Sequence, residues 1–164
     1  MAGFTGTLTT PVLGLLTAET TGVNARITTM QANDPTLKGS GIRSIKARNV
    51  SYEIAEASGQ ARYPALLVYC DRVENLLREK FRAFSGRVQM TIEVRQTQET
   101  LAEAETNTEM YVDAVCALLG EARGDWGDGA SYAGGYRVDY EPVTMGGKNF
   151  LQRAKVCFAV ELSE

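Results

Sequence analysis

Between Gly124 and Gly135 the chain reads GDWGDGASYAGG: five glycines around two carboxylates, Asp125 and Asp128, and the only tryptophan, Trp126. Carboxylates in a flexible loop are donors that a hard cation such as calcium takes. The D-x-[DN]-x-[DN]-G register with a distal glutamate is absent, however, and two carboxylates alone bind weakly. Turn aspartates bonding their own backbone are the simpler reading. A second cluster, Gly146-Gly147-Lys148, invites a phosphate-binding reading until its spacing is checked. The G-x-x-x-x-G-K-[ST] pattern is missing, Asn149 stands where a hydroxyl is needed, and the glycines suit a hairpin turn. The stretch Gly120 to Gly124 ends a helical pattern, whereas a dinucleotide fingerprint opens one.

Acid–base chemistry is no better served. The chain has no histidine, the side chain whose ordinary pKa lies nearest neutrality. Glu99, Glu103, Glu105, Glu109 and Asp113 follow the outer stripe of one helical pattern, which reads as a solvated face and not as a carboxylate pair set for hydrolysis. Cys70, Cys116 and Cys157 lie far apart in apolar segments with no C-x-x-C, so small buried thiols are expected and a zinc site is not. These observations give no catalytic residue, no cofactor and no metal ligand, and they leave interaction as the function to be explained. An aromatic in a polar loop either anchors the loop on its own domain or fills a partner's pocket, and Trp126 is open to both readings. On the second, Trp126→Ala leaves the fold intact, and Asp125, Asp128, Lys148 and Asn149 stand with Trp126 at an interface.

The elements that position these residues follow from periodicity. Pro11 after Thr10, then Val12, Leu15, Leu16, Val23, Ile27 and Met30, predict one helix over 11–30, closed by a loop at 31–41. Residues 42–56 alternate through Val50, Tyr52 and Ile54 and read as a strand, and residues 63–70 read as a buried strand opening at Pro64. Val73, Leu76, Leu77, Phe81 and Phe84 match a helical stripe over 71–84. Residues 87–95 alternate most clearly. Val88, Met90, Ile92 and Val94 face a core, while Arg87, Gln89, Thr91, Glu93 and Arg95 form a wet face suited to a subunit contact or a hydrated channel wall. A helix over 99–122 buries Leu101, Ala104, Thr108, Tyr111, Val115 and Leu118 and stops at Gly124. A flexible connector then leads into strands 136–144 and 150–162, joined by a turn at 145–149. The sum is an α+β domain over residues 1–164, a mainly antiparallel sheet with helices packed on one face.

Composition agrees. In 164 residues, 44% hydrophobic and 23% charged side chains describe an ordinary globular domain, and no apolar run reaches the length of a membrane helix. The start, MAGFTGTLTTPVLGLL, lacks the basic flank of a signal peptide, so synthesis in a cytoplasm without export is expected. Seventeen basic against twenty acidic residues give a net charge of -3, which argues against a protein that grips duplex DNA but not against DNA passing close by.

The order of elements, with Tyr63-Pro-Ala-Leu-Leu-Val-Tyr69, the alternating strand at 87–95, the long helix and the closing hairpin, resembles the tail terminator (tail completion) proteins of long-tailed bacteriophages. Leu76-Leu-Arg-Glu-Lys-Phe-Arg-Ala-Phe-Ser-Gly86, Arg123-Gly-Asp-Trp-Gly-Asp-Gly129 and Gly146-Gly-Lys-Asn-Phe-Leu-Gln-Arg-Ala-Lys155 are similar to sequences from phage structural-gene clusters. The resemblance implies a virion protein of the tail and neck, a homohexameric ring that caps the tail tube and stops its polymerisation. Its partners would be further copies of itself, the tail tube protein and the neck or head-completion proteins, with DNA passing through the lumen unbound and no membrane involved. The helix at 71–84 departs from that pattern, in which sheet strands are joined more directly. Another neck protein, or a small metal- or ligand-binding domain centred on the 124–135 loop, is the alternative.

Overall fold

Strict alternation decides the centre of the molecule. Val88, Met90, Ile92 and Val94 lie on one face of a long strand, and all four are fully buried. The computed structural model of the chain describes residues 4–164, with side chains described from residue 6; Met1 to Gly3, where the unflanked start was read, lie outside the described residues. The strand, β3 (Ser85–Gln98), pairs antiparallel along its whole length with β7 (Asn149–Ser163), so the two longest strands form the spine. On the far side of β3 lies β2 (Ala65–Asn75), antiparallel, and beyond it β1 (Ser44–Ala47), parallel to β2. On the far side of β7 lie β5 (Ala130–Tyr140) and then β4 (Gly124–Gly127), while β6 (Thr144–Gly146) pairs with the start of β7. The result is a curled, mainly antiparallel α+β sheet with the order β1-β2-β3-β7-β5-β4.

Three helices cover one face. In α1 (Phe4–Thr17), Leu8, Val12 and Leu16 repeat every four residues and are buried; α2 (Val23–Asn33) contributes Val23 and Ile27. In α4 (Leu101–Glu121), Ala104, Thr108, Tyr111, Val115 and Leu118 face inward as the periodicity predicts, whereas Leu101 is exposed. Thr100 caps α4, its side chain accepting from the Glu103 amide and donating to that residue's carboxylate (2.9 Å). A short helix, α3 (Tyr52–Ala57), lies on the opposite face between Val50 and Tyr63, the residues that pack over Ala65, Leu67 and Tyr69.

Several expectations are corrected. The helix over 11–30 is two helices, separated by a turn in which the Gly22 amide bonds to the Ala18 carbonyl (2.8 Å). Pro11 sits inside α1, not in its first turn. The strand over 42–56 ends at Ala47, and the alternation through Tyr52 and Ile54 dissolves in α3: Tyr52 lies under the Arg153 guanidinium (5.2 Å to the ring centroid), and Ile54 is 62% exposed. The helix over 71–84 does not form. β2 runs on to Asn75 with Val73 opposite Val88, because β3 offers a complete ladder to pair with, worth more than a helical stripe standing alone. The ladder is tight at its end, where a Cβ on Gly86 would lie 1.9 Å from the Glu74 carbonyl oxygen.

The stretch 124–135 is not a flexible connector either. It is the β4–β5 hairpin, turning at Asp128 and Gly129 with φ of 51° and 77°. Asp-Gly between strands is the strongest short hairpin signal, and positive φ at both positions is what such two-residue turns require. The strand over 150–162 stands as β7, but the strand expected over 136–144 is broken: β5 ends at Tyr140, β6 starts at Thr144, and both share one edge of β7, so the turn expected at 145–149 shrinks to Gly147-Lys148. Among the described residues no helix is long and apolar enough to cross a membrane.

Candidate functional site

The wet face of β3 is largely dry. Glu93 and Arg95 have side chains only 5% and 4% exposed. Arg95 donates through Nε to Glu93 Oε1 (2.9 Å) and through its terminal nitrogen to the Val50 carbonyl, and Tyr69 donates to Glu93 Oε2 (3.0 Å). Burial, then the neighbouring Glu93 charge, pushes the Tyr69 phenol far above its ordinary range. The expectation of solvation fails because the segment 48–63, read as strand and turn, folds back over this face through Val50 and Tyr63, on either side of α3. Arg87 and Gln89 are half-buried, and Arg87 bonds to Glu161 (3.0 Å) across the β3–β7 ladder.

Trp126 belongs to its own domain. Its Nε1 donates to the Ala122 carbonyl at the end of α4 (2.7 Å), and its ring packs on Tyr132 (5.5 Å between centroids) and Phe158 (6.4 Å). Of the two readings open to Trp126, the anchor on its own domain is the one seen: it is a hairpin pin, held by a helix C-terminal carbonyl that needs a partner anyway. Asp125 Oδ1 accepts from the Gly127 amide (2.8 Å) as a turn aspartate does, and Asp128 occupies the turn. Lys148 is exposed in the β6–β7 turn, and Asn149 opens β7 opposite Gly146. The two hairpins lie at opposite ends of β7, about 40 Å apart along the strand, so Asp125 and Asp128 form no common site with Lys148 and Asn149. No group of three histidine, cysteine or carboxylate side chains suited to a metal occurs among the described residues. The three cysteines are free and half-buried, more open than expected; burial raises the Cys70 and Cys116 thiols.

Two features went unread in the sequence. The first is the loop 76–84 between β2 and β3, which lies at the same end of the sheet as the β4–β5 turn. Asn75 fastens it, accepting from the Leu77 and Ser85 amides (3.2 and 3.1 Å) and donating to the Ala83 carbonyl (3.1 Å). Glu79 takes a bond from the Ser163 hydroxyl (2.9 Å), and Arg78 bonds to Glu161 (2.8 Å). On this scaffold Leu77 is 65% exposed and Phe81 stands fully in solvent, with φ of 48° and 68°. Left-handed backbone at a bulky residue costs about 1 kcal/mol or more, so the fold spends stability to show an aromatic to water.

The second is an apolar cavity of about 140 Å³ between α3, β1 and β2. Val50, Ile54, Ala65 and Leu67 line it, with Tyr63 and the buried Arg95 at its base. Lys46, Arg48 and Arg62 are exposed at its margin, and none has an ion pair among the described residues. The cation spacing at 46, 48 and 62 is visible in the sequence, but the chain reversal that gathers them is not.

Across the molecule, Glu105, Glu109 and Asp113 are exposed along α4, as the periodicity predicts. Beside them on β5 stand Tyr136 and Tyr140, about half exposed. Burial raises the Tyr140 phenol, followed by the Asp113 and Glu109 charges. The cluster Lys46, Arg48 and Arg62 and the stripe Glu105, Glu109 and Asp113 thus lie on different elements, while Glu53 and Glu56 on α3 and Arg123 after α4 are also exposed without an ion pair among the described residues. No protein-family model matches the chain, and no curated protein does.

Proposed function

We propose that the chain is a non-enzymatic virion protein of the tail and neck, a tail terminator whose identical subunits close into a ring, six in number in the pattern it resembles. The ring caps the tail tube, stops its polymerisation and receives the head-completion proteins, while DNA passes through the lumen. The observation that carries the reading is the difference between the two ends of the sheet. One end displays the fastened loop with Phe81 and the Asp128-Gly129 turn; the other displays the β6–β7 turn and the basic-rimmed cavity. A subunit seated between a tube and a neck meets two different partners and needs two different axial surfaces, each with an anchor. A fully exposed aromatic on a rigid loop is such an anchor.

The sides differ as well, one carrying the cluster Lys46, Arg48 and Arg62 and one the α4 carboxylates, as a ring requires, since rings close through unlike surfaces on each subunit. The net charge of -3 suits a conduit that does not hold its DNA. Imaging intact particles that carry a labelled copy of this chain tests the proposal. The label is expected at the junction of tail and neck; a label on the head shell or the distal tail tip, or none in the particle, refutes it.

A further inference from the structure

The cavity beneath α3 is small and apolar, and the side chains around it specify an occupant. Its walls are apolar, and at about 140 Å³ it has room for a six-membered ring: a dry cavity of about 150 Å³ takes benzene. Its margin carries Lys46, Arg48 and Arg62 without acidic partners, so the incoming group is an aromatic flanked by carboxylates. Phe81, the most exposed aromatic, does not qualify. Its neighbours Arg78, Lys80 and Arg82 would set cations against cations. A surface with the required chemistry is the side of α4 and β5, where Tyr140 and Tyr136 stand beside Glu109 and Asp113.

We propose that the cavity between α3, β1 and β2 is the seat for the tyrosine-bearing acidic side of a second copy of this chain. In this contact Tyr140 enters the apolar mouth, and Glu109 and Asp113 meet Arg48, Arg62 and Lys46. The two surfaces are different parts of one subunit, so each copy has a free seat and a free tyrosine side after the first contact forms. Such head-to-tail pairing either propagates or closes on itself. The proposal rests on the reading of the chain as a ring subunit and names the lateral contact of that ring. Arg95 contributes by position: fixed to Glu93 and the Val50 carbonyl, it keeps the cavity base rigid without offering its charge to the newcomer.

Charge reversal tests the contact, because both surfaces are exposed and their replacement leaves the core untouched. Sedimentation velocity of the wild-type chain over a concentration series gives the reference association. A rim-reversed variant (Lys46→Glu, Arg48→Glu, Arg62→Glu) and a helix-reversed variant (Glu109→Lys, Asp113→Lys) are each expected to weaken self-association by about 100-fold, within the range of close interfacial charge pairs. Mixed one to one, they are expected to associate again, since the intact acidic side of the first meets the intact basic rim of the second. That recovery separates a lost contact from a misfolded variant. Tyr140→Ala is expected to weaken association about tenfold, and Phe81→Ser to leave it unchanged.

Variants that associate as tightly as the wild type overturn the seat and leave the ring reading standing. A mixture that stays dissociated while the wild type associates overturns the pairing of these two surfaces. A wild-type chain that remains monomeric to millimolar concentration overturns both the seat and the ring.

Discussion

Trp126 and Phe81 end in opposite environments, one pinned against its own domain and the other in solvent, although the polar loop belongs to the first and the apolar stripe to the second. Trp126, among glycines and aspartates, is open in the sequence to a partner's pocket or to its own domain, and it takes the second, bonding to the end of α4 and packing on Tyr132 and Phe158. Phe81, on an apparent helical stripe, reads as core, yet it stands fully in solvent on a loop fastened by Asn75 and Glu79. Local polarity says what a segment can tolerate; the partner elements decide what it does. The Asp-Gly turn folds 124–135 back along β7 and delivers Trp126 to the core. The ladder with β3 takes the residues through Asn75, and the remainder, too short for a second element, becomes a display loop.

Charges obey the same rule. Arg95 sits on the strand face that reads as wet, yet the chain around Val50 and Tyr63 covers it, whereas Lys46 on neighbouring β1 stays open. Arg95→Met is accordingly the most damaging substitution expected. It strands the Glu93 carboxylate in a buried site and should lower stability by about 3 to 5 kcal/mol in urea unfolding. A loss under about 1 kcal/mol would mean that the covered face is wet after all.

Trp126→Ala comes next, at about 3 kcal/mol, the low end for a large aromatic because the side chain is half-buried. A variant of unchanged stability would restore the interface reading and remove one side of the comparison. The same aromatic cluster can be read by pH. Burial pushes Tyr132 up to about 12 from an ordinary 10.0. Its protonated form is therefore favoured in the folded chain: the stability it contributes is whole below pH 10 and is lost as the pH rises from about 10 to about 12. Several phenols are raised in the folded chain, so ultraviolet titration should show one of the late-ionising group moving to lower pH in Trp126→Ala while the others stay; identical curves would contradict the packing.

Asn75→Ala should cost about 1 kcal/mol, small because its bonds lie near the surface, but it should speed amide exchange throughout 76–84. Slow exchange retained there would show that the loop does not depend on Asn75. The smallest effect belongs to Phe81→Ser, within about 0.5 kcal/mol of the wild type, since the ring touches water only. A larger loss would place Phe81 in the core and break the comparison from its other side.

The legible parts of the fold were those in which local pattern and long-range pairing agree. β3, α4 and the closing hairpin carry clean periods over many residues, and each found a partner that suits the period. Where a short apolar pattern fits two elements, as at Tyr52 to Ile54 or Val73 to Phe84, pairing with a distant strand or packing over one settled the matter, and neither is written locally. Asp128-Gly129 is different, since its hairpin signal was present and was outweighed by the glycines around it. The candidate surfaces were legible only as ingredients. Lys46, Arg48 and Arg62 acquire a common purpose when α3 turns over β1 and β2, and Phe81 when its helix fails to form.

The proposed capping of a tube through unlike axial surfaces is measured directly by the growth of that tube. Tail tube protein is polymerised with increasing amounts of this chain, and tube lengths are read from micrographs. The expected result is a ring of density at one tube end, lengths that shorten as the chain is added, and no capping by Phe81→Ser or by the rim-reversed variant. Tubes of unchanged length without terminal density, at a molar excess of the wild-type chain, would contradict it.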